Sequence, residues 1–245
     1  MRKNKLFLIF VYVVLMMCVY GIEVAPSTYN YRIDQGGIAQ DVLLLNENDK
    51  SERIKISFIK YRNDKEEKSL GKWTTVYPKI VSINPGSRKT VKFSIEPPSE
   101  LKKGEYRSLI FFEELEQRAL DFSGGKVVVS TSPSSQINFM ISLGVVVYGY
   151  VGDPNDLVVN GKIKKVKREG NKITGIIQNN GEITKPYTLI VTGKNSKGFE
   201  EKITELRTVV EGYSDPLKIE LPKGFRANKI ELKGYNGSLL ETLNI

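Results

Sequence analysis

Between residues 136 and 148, Ile137, Phe139, Ile141, Leu143, Val145 and Val147 recur at every second position. Asn138, Met140, Ser142, Gly144 and Val146 stand between them, so one face is wholly apolar and the other mixed. A repeat of two is the period of an extended strand; wound as a helix, the same residues would scatter round the axis. Gathered on one side, six apolar side chains must leave water. Either the chain's own core covers that face, or part of it is offered to another protein.

The rest of the sequence repeats this logic on a smaller scale. Alternating or extended segments fall at 23–33, 38–45, 52–62, 73–83, 90–95 and 106–115, separated by turn chemistry such as Asn46-Glu47-Asn48-Asp49 and Asn84-Pro85-Gly86-Ser87. With the strand at 136–148, about seven strands precede residue 150, and no segment has a convincing helical period. After Gly152-Asp153-Pro154-Asn155 the pattern starts again. Extended runs at 157–167, 172–178, 184–192, 199–210, 216–221, 227–233 and 239–243 alternate with turns that include Asn180-Gly181 and Asn236-Gly237. These observations predict an all-β chain of two immunoglobulin-like β-sandwich domains in tandem, over residues 22–150 and 151–245.

Composition removes most enzymatic chemistry. There is no histidine and one cysteine, Cys18. Ser-His-Asp and Cys-His arrangements, histidine-ligated zinc and the commonest general base are excluded together. Glu113 and Glu114 are adjacent carboxylates, but neighbours in a strand point to opposite faces and cannot flank one glycosidic bond. The chain is therefore expected not to be an enzyme, and no cofactor or metal site is expected.

Residues 1–21 have a basic start at Arg2, Lys3 and Lys5, an apolar run over 6–19, and Val19-Tyr20-Gly21 at the cleavage position, the pattern of a secretory signal peptide. Fourteen apolar residues fall short of the ~20 that span a bilayer, so no stable membrane span is expected. Bulky Met17 before Cys18 argues against lipidation there. Cleavage after Gly21 leaves no cysteine, so the exported chain holds together without a disulfide. It also leaves 34 basic against 28 acidic residues, a net +6 with no compact basic patch along the sequence. Lysines at 162–168 alternate with Ile163 and Val166 as on a half-exposed strand, and nucleic-acid binding is not expected.

Taken in order, these features resemble the periplasmic pilus (fimbrial) assembly chaperones. That family carries a run of the form P-x-x-x-x-l-x-P-G-x-x-x-x-V before an S-L-x-F strand, and Pro78, Ile83, Pro85, Gly86, Val91, Ser108, Leu109 and Phe111 occupy the matching places. Gln178-Asn179-Asn180-Gly181, followed by the turn at 193–198, is similar to the family's second sandwich. The resemblance spans nearly the whole chain after the leader. It implies a periplasmic chaperone that stabilises pilus- or fimbria-like subunits by donating a β-strand, with Ile137, Phe139, Ile141 and Leu143 as the donated side chains and Val145 and Val147 kept for its own core. The implied partners are β-sandwich subunits and an outer-membrane usher, with a homodimer when no client is bound.

The family also grips the subunit's terminal carboxylate with an Arg and a Lys. Here Tyr29 lies near the Arg position, and Gly144, Val145 or Val146 falls where the Lys is expected, which leaves Arg32 and Lys126 as substitute anchors. The competing reading is a secreted structural or adhesive envelope protein of immunoglobulin-like modules presented at the cell surface.

Overall fold

The computed structural model describes residues 21–62, 64–115, 120–121, 128–129 and 142–245. The chain is nearly all β, as the alternation predicts. Its first half contains β1 (Ile22–Ala25), β2 (Thr28–Arg32), β3 (Ile38–Asn46), β4 (Glu52–Lys60), β5 (Thr74–Tyr77), β6 (Ile80–Ile83), β7 (Arg88–Ile95), β8 (Gly104–Glu114), the two-residue β9 (Leu120–Asp121) and β10 (Val128–Val129), and β11 (Ser142–Val151). The second half contains β12 (Gly161–Glu169), β13 (Lys172–Asn179), β14 (Lys185–Lys194), β15 (Glu200–Val209), β16 (Ser214–Glu220), β17 (Arg226–Lys233) and β18 (Leu239–Asn244). Two short 3₁₀ turns, Glu66–Lys68 and Gly71–Trp73, are the only helical elements among the described residues, and none is long and apolar enough to cross a membrane.

The chain divides into two compact units. One takes its described residues from Met1–Asn30, Gly36–Pro98 and Arg107–Tyr148, the other from Tyr31–Gln35, Ser99–Tyr106 and Gly149–Ile245. The first-half strands form sheets of order β1-β3-β7-β5 and β2-β11-β8-β4-β6, with β9 and β10 paired to each other. Alternation decides which side of each strand is dry. On β7, Val91, Phe93 and Ile95 are buried, while Thr90 before them and Lys92 between them are exposed. The Phe93 ring meets two rings of the opposite sheet, Phe58 on β4 at 5.5 Å and Tyr29 on β2 edge-on at 5.1 Å. Tyr29 crosses the core to donate its hydroxyl to the Asp41 carbonyl of β3 at 2.8 Å.

Two expected strands are each cut in two. The run at 23–33 becomes β1 and β2, which join different sheets, and the run at 73–83 becomes β5 and β6, which also join different sheets. Both cuts fall at a proline, Pro26 and Pro78, whose missing N–H removes a ladder donor where the chain changes partner. The Asn84–Ser87 turn forms as its sequence predicts: the Ser87 N–H donates to the Asn84 carbonyl at 3.0 Å, and Gly86 supplies the φ of +63° that position i+2 of a type II turn requires.

The second unit stacks β12-β13-β16 on β15-β14-β17-β18. Its core gathers Ile163, Ile173, Ile177 and Ile219 from the first of these sheets with Tyr187, Leu189, Val191, Ile230 and Leu232 from the second. The lysine-rich run at 162–168 is indeed a strand with one face turned inward, Ile163 buried and Val166 partly so. β15 forms an outer edge of its sheet and carries Glu200, Glu201, Lys202, Glu205 and Arg207. Charges along an exposed edge oppose pairing with another chain.

Each unit contains a buried asparagine that ties a strand end. Asn46 donates from Nδ2 to the carbonyls of Lys50 and Ile83, and its Oδ1 accepts the Asn48 N–H. Asn179 does the same with the Ile183 and Val209 carbonyls and the Gly181 N–H. Both are at most 1% exposed, and removing the amide leaves three backbone groups without this partner, the Ile83 carbonyl in one case and the Ile183 and Val209 carbonyls in the other being buried. Asn46→Ala and Asn179→Ala are each expected to lower unfolding free energy by about 2–4 kcal/mol in urea titrations, several times the effect of an exposed Asn→Ala.

Glu52, 1% exposed at the start of β4, is pushed above the ordinary carboxylate range, first by burial and then by the neighbouring Glu114. A group whose pKa is raised on folding stabilises most fully below its unfolded pKa, and that contribution is lost as pH rises through the folded value. Glu52→Gln is therefore expected to melt higher than the wild type at pH 7, with the gap closing as pH falls below about 4.5, as read by thermal unfolding across pH.

Candidate functional site

The strand with the period of two becomes β11 over its described part. It lies inside its sheet, with β8 on one side and β2 on the other. The β2 side is held from one end: the Ile33 N–H, just past β2, donates to the Tyr150 carbonyl at 2.9 Å. Thr28–Arg32 precede Ile33 and β11 ends at Val151, so only a parallel alignment keeps β2 beside β11. Five residues cannot flank all ten, and the reach of β2 ends near Val145. Among the described residues, no other strand pairs with that flank of β11.

Burial on the apolar face follows the same gradient. Val147 is 0% exposed and Val145 5%, so both belong to the core, as the resemblance implies. Leu143, next on that face, is only half-buried, and Gly144 beside it is exposed. A side chain at Gly144 would meet only Leu109 of β8, at ordinary van der Waals distance. The face thus leaves its own core as the strand is followed back toward its start. Ile137, Phe139, Ile141 and the anchor candidate Lys126 lie outside the described residues.

Arg32, the other anchor candidate, is already engaged. Its Nε and Nη2 donate to both carboxylate oxygens of Asp34, at 3.1 and 2.7 Å. The Gly152 N–H donates to the same carboxylate at 3.0 Å. The guanidinium first, then the Gly152 N–H, hold the Asp34 carboxyl at a pKa of about 2. Tyr29, near the family's Arg position, is a core residue 4% exposed.

Two charged side chains of β8 stand out that sequence reasoning passes over. Tyr106, Ile110 and Phe112 point into the core, which places Glu105 and Arg107 on the opposite face, where charges are ordinarily solvated. Both are nevertheless buried, at 0% and 1% exposure. Arg107 pairs with Asp64 at 2.7 Å and lies 5.5 Å from the centre of the Tyr61 ring, beneath the segment that follows β4. Glu105, which belongs to the second unit, accepts the Thr184 N–H at 2.7 Å and its hydroxyl at 2.6 Å, while Thr184 Oγ1 accepts the Glu211 N–H at 3.0 Å. The available signal was the pair of opposite charges at alternate positions of an otherwise apolar strand. Nothing local to Tyr106 or Ser108 says what covers them.

Three solved chaperone structures illustrate what the chain is similar to. The class 5 fimbriae chaperone CfaA shares 13% identity, with 87% of this chain and 92% of that one covered at a TM-score of 0.48. The E. coli chaperone DraB shares 12%, covering 92% and 98% at 0.46. A complex of the Salmonella enterica SafA pilin with the SafB chaperone shares 13%, covering 94% and 97% at 0.46. No protein-family model matches the chain, and no curated protein sequence matches it.

Breaking the Arg107–Asp64 pair removes the carboxylate that faces a buried guanidinium, and losing one member of a buried ion pair typically costs about 3–5 kcal/mol. Asp64→Ala is expected to unfold that much more easily in denaturant, whereas Glu66→Ala, at the exposed and solvent-screened Lys60–Glu66 pair, is expected to leave the denaturation midpoint nearly unchanged.

Proposed function

We propose that this protein is an exported chaperone of pilus- or fimbria-like β-sandwich subunits, to which it lends the strand that begins near residue 136. The observation that carries this reading is the burial gradient on one apolar face: Val147 and Val145 inside, Leu143 half out, and the same alternation continuing in sequence through Ile141, Phe139 and Ile137. A subunit that lacks a strand has an open sheet edge and an empty groove. An extended segment satisfies the edge through backbone hydrogen bonds while every second side chain fills the groove. Each large apolar side chain removed from water contributes about 1.5–3 kcal/mol, so three or four suffice to hold a subunit without covalent chemistry or nucleotide hydrolysis. The reading needs no catalytic group, and the secretory pattern at 1–21 supports export to the periplasm. Arg32 anchors a subunit's terminal carboxylate by exchanging Asp34 for it, with Lys126 as the second cation.

The test is the doubly charged variant Phe139→Asp/Ile141→Asp, co-expressed with a pilin-type β-sandwich subunit that lacks its last strand and purified from periplasm. Circular dichroism and thermal unfolding verify that the variant folds. The wild type is expected to co-purify the subunit at equal stoichiometry, a synthetic peptide of residues 136–146 to compete for it, and the variant to lose it at least 100-fold. Undiminished capture by a folded variant would falsify strand donation.

A further inference from the structure

The second unit ends in a cleft of about 970 Å³, within the range of small-molecule sites, formed where the turns after β12, β14 and β16 converge. Arg168, Lys194, Lys197, Lys223 and Arg226 line it, and no Asp or Glu does. These cations come from three separated stretches of sequence, so the patch that no linear reading shows is assembled by the fold. None of the five makes an ion pair among the described residues; Glu200, opposite Lys194 in register, does not close on it.

The cluster is built rather than merely exposed. Arg168 is fixed by donating to the backbone carbonyls of Phe225 at 3.1 Å and Ala227 at 3.5 Å, across from its own sheet, so its charge is held in place without a carboxylate to neutralise it. Lys194 and Arg226 are direct cross-strand neighbours on β14 and β17, a like-charge pairing that disfavours the sheet. Their closeness depends on Gly193, at the register shift between these strands: a Cβ there would lie 2.3 Å from the Arg226 carbonyl oxygen. A fold that brings two cations together at such a place is relieved by an anion shared between them. Arginine forks and lysine ammonium groups together match the several oxygens of clustered phosphates.

We infer that this cleft binds a ligand bearing clustered phosphates, with Lys194 and Arg226 as its central contacts and Arg168, Lys197 and Lys223 around them. The site is independent of strand donation. Clustered phosphates occur both free and on anionic lipid surfaces, and the experiment separates the two sources.

The probes are tripolyphosphate, citrate at matched ionic strength, and vesicles of phosphatidylglycerol or phosphatidylcholine, used with the purified full chain. Tripolyphosphate is expected to bind saturably at one site by calorimetry and to raise the melting temperature. Lys194→Gln/Arg226→Gln is expected to weaken it at least tenfold, and Lys162→Gln/Lys164→Gln, an equal charge change on exposed β12 outside the cleft, to leave it unchanged. The cleft variant should melt no lower than the wild type without ligand, because it relieves a like-charge pair, so lost binding cannot be ascribed to lost folding. Capture on phosphatidylglycerol but not phosphatidylcholine vesicles, abolished in the cleft variant, assigns the phosphates to a lipid headgroup; tripolyphosphate binding without vesicle capture assigns them to a free ligand. The inference is overturned if tripolyphosphate does not saturate, if citrate matches it, or if the cleft variant binds either probe as tightly as the wild type.

Discussion

The pairing of β11 with β8 and β2 fixes where the apolar face of the first sandwich is spent. A strand has one side to give to the opposing sheet, and Val145 and Val147 give it fully. The β2 flank ends because the chain leaves its first sheet at Pro26 and reaches β11 with only five residues, aligned to its Tyr150 end. The same proline that divides the early strand thus also decides how much of β11 is clasped. Further back, where Leu143 is half-buried, β8 still flanks the strand on one side but no strand is found on the β2 side among the described residues.

Around this strand the stability of both units rests on polar groups placed where apolar ones would be expected. Asn46 and Asn179 close strand ends by satisfying three backbone groups each, which lets a turn leave the sheet without stranding carbonyls in the core. Arg107 with Asp64, and Glu105 with Thr184, turn the outer face of β8 into a second interior. Such pairs add little net energy over apolar packing but are costly to break, which favours a single arrangement of the covering segments.

Much of the fold was legible because alternation is a direct consequence of strand geometry. The strands at 90–95, 106–115 and 172–178, the turn at Asn84–Ser87 and the inward face of the lysine-rich β12 all follow from residue spacing. What escaped has a physical reason in each case. A proline within an extended run signals a missing donor but not that the chain crosses to the other sheet, as it does at Pro26 and Pro78. Asn46 and Asn179 sit in turn-like sequences, and nothing local says that their amides face inward. Burial of Glu105 and Arg107 depends on segments some forty to eighty residues away. The cations of the second unit's cleft are adjacent only once three turns have closed; along the chain Lys194 and Arg226 are ordinary surface charges. Of the proposed site, the sequence shows the repeat from Ile137 to Val147, and the structure adds the gradient along it.

Two of the edge strands, β15 and β2, meet solvent on very different terms. Glu200, Glu201, Lys202, Glu205 and Arg207 make β15 a fence, since any chain adding itself there must bury charges of both signs. No comparable row of charges accompanies Thr28–Arg32, where Arg32 is the only ionised side chain and is already spoken for by Asp34. Strand addition at β15 thus has to desolvate fixed charge of both signs, whereas an extended chain arriving at β2 meets no such electrostatic barrier.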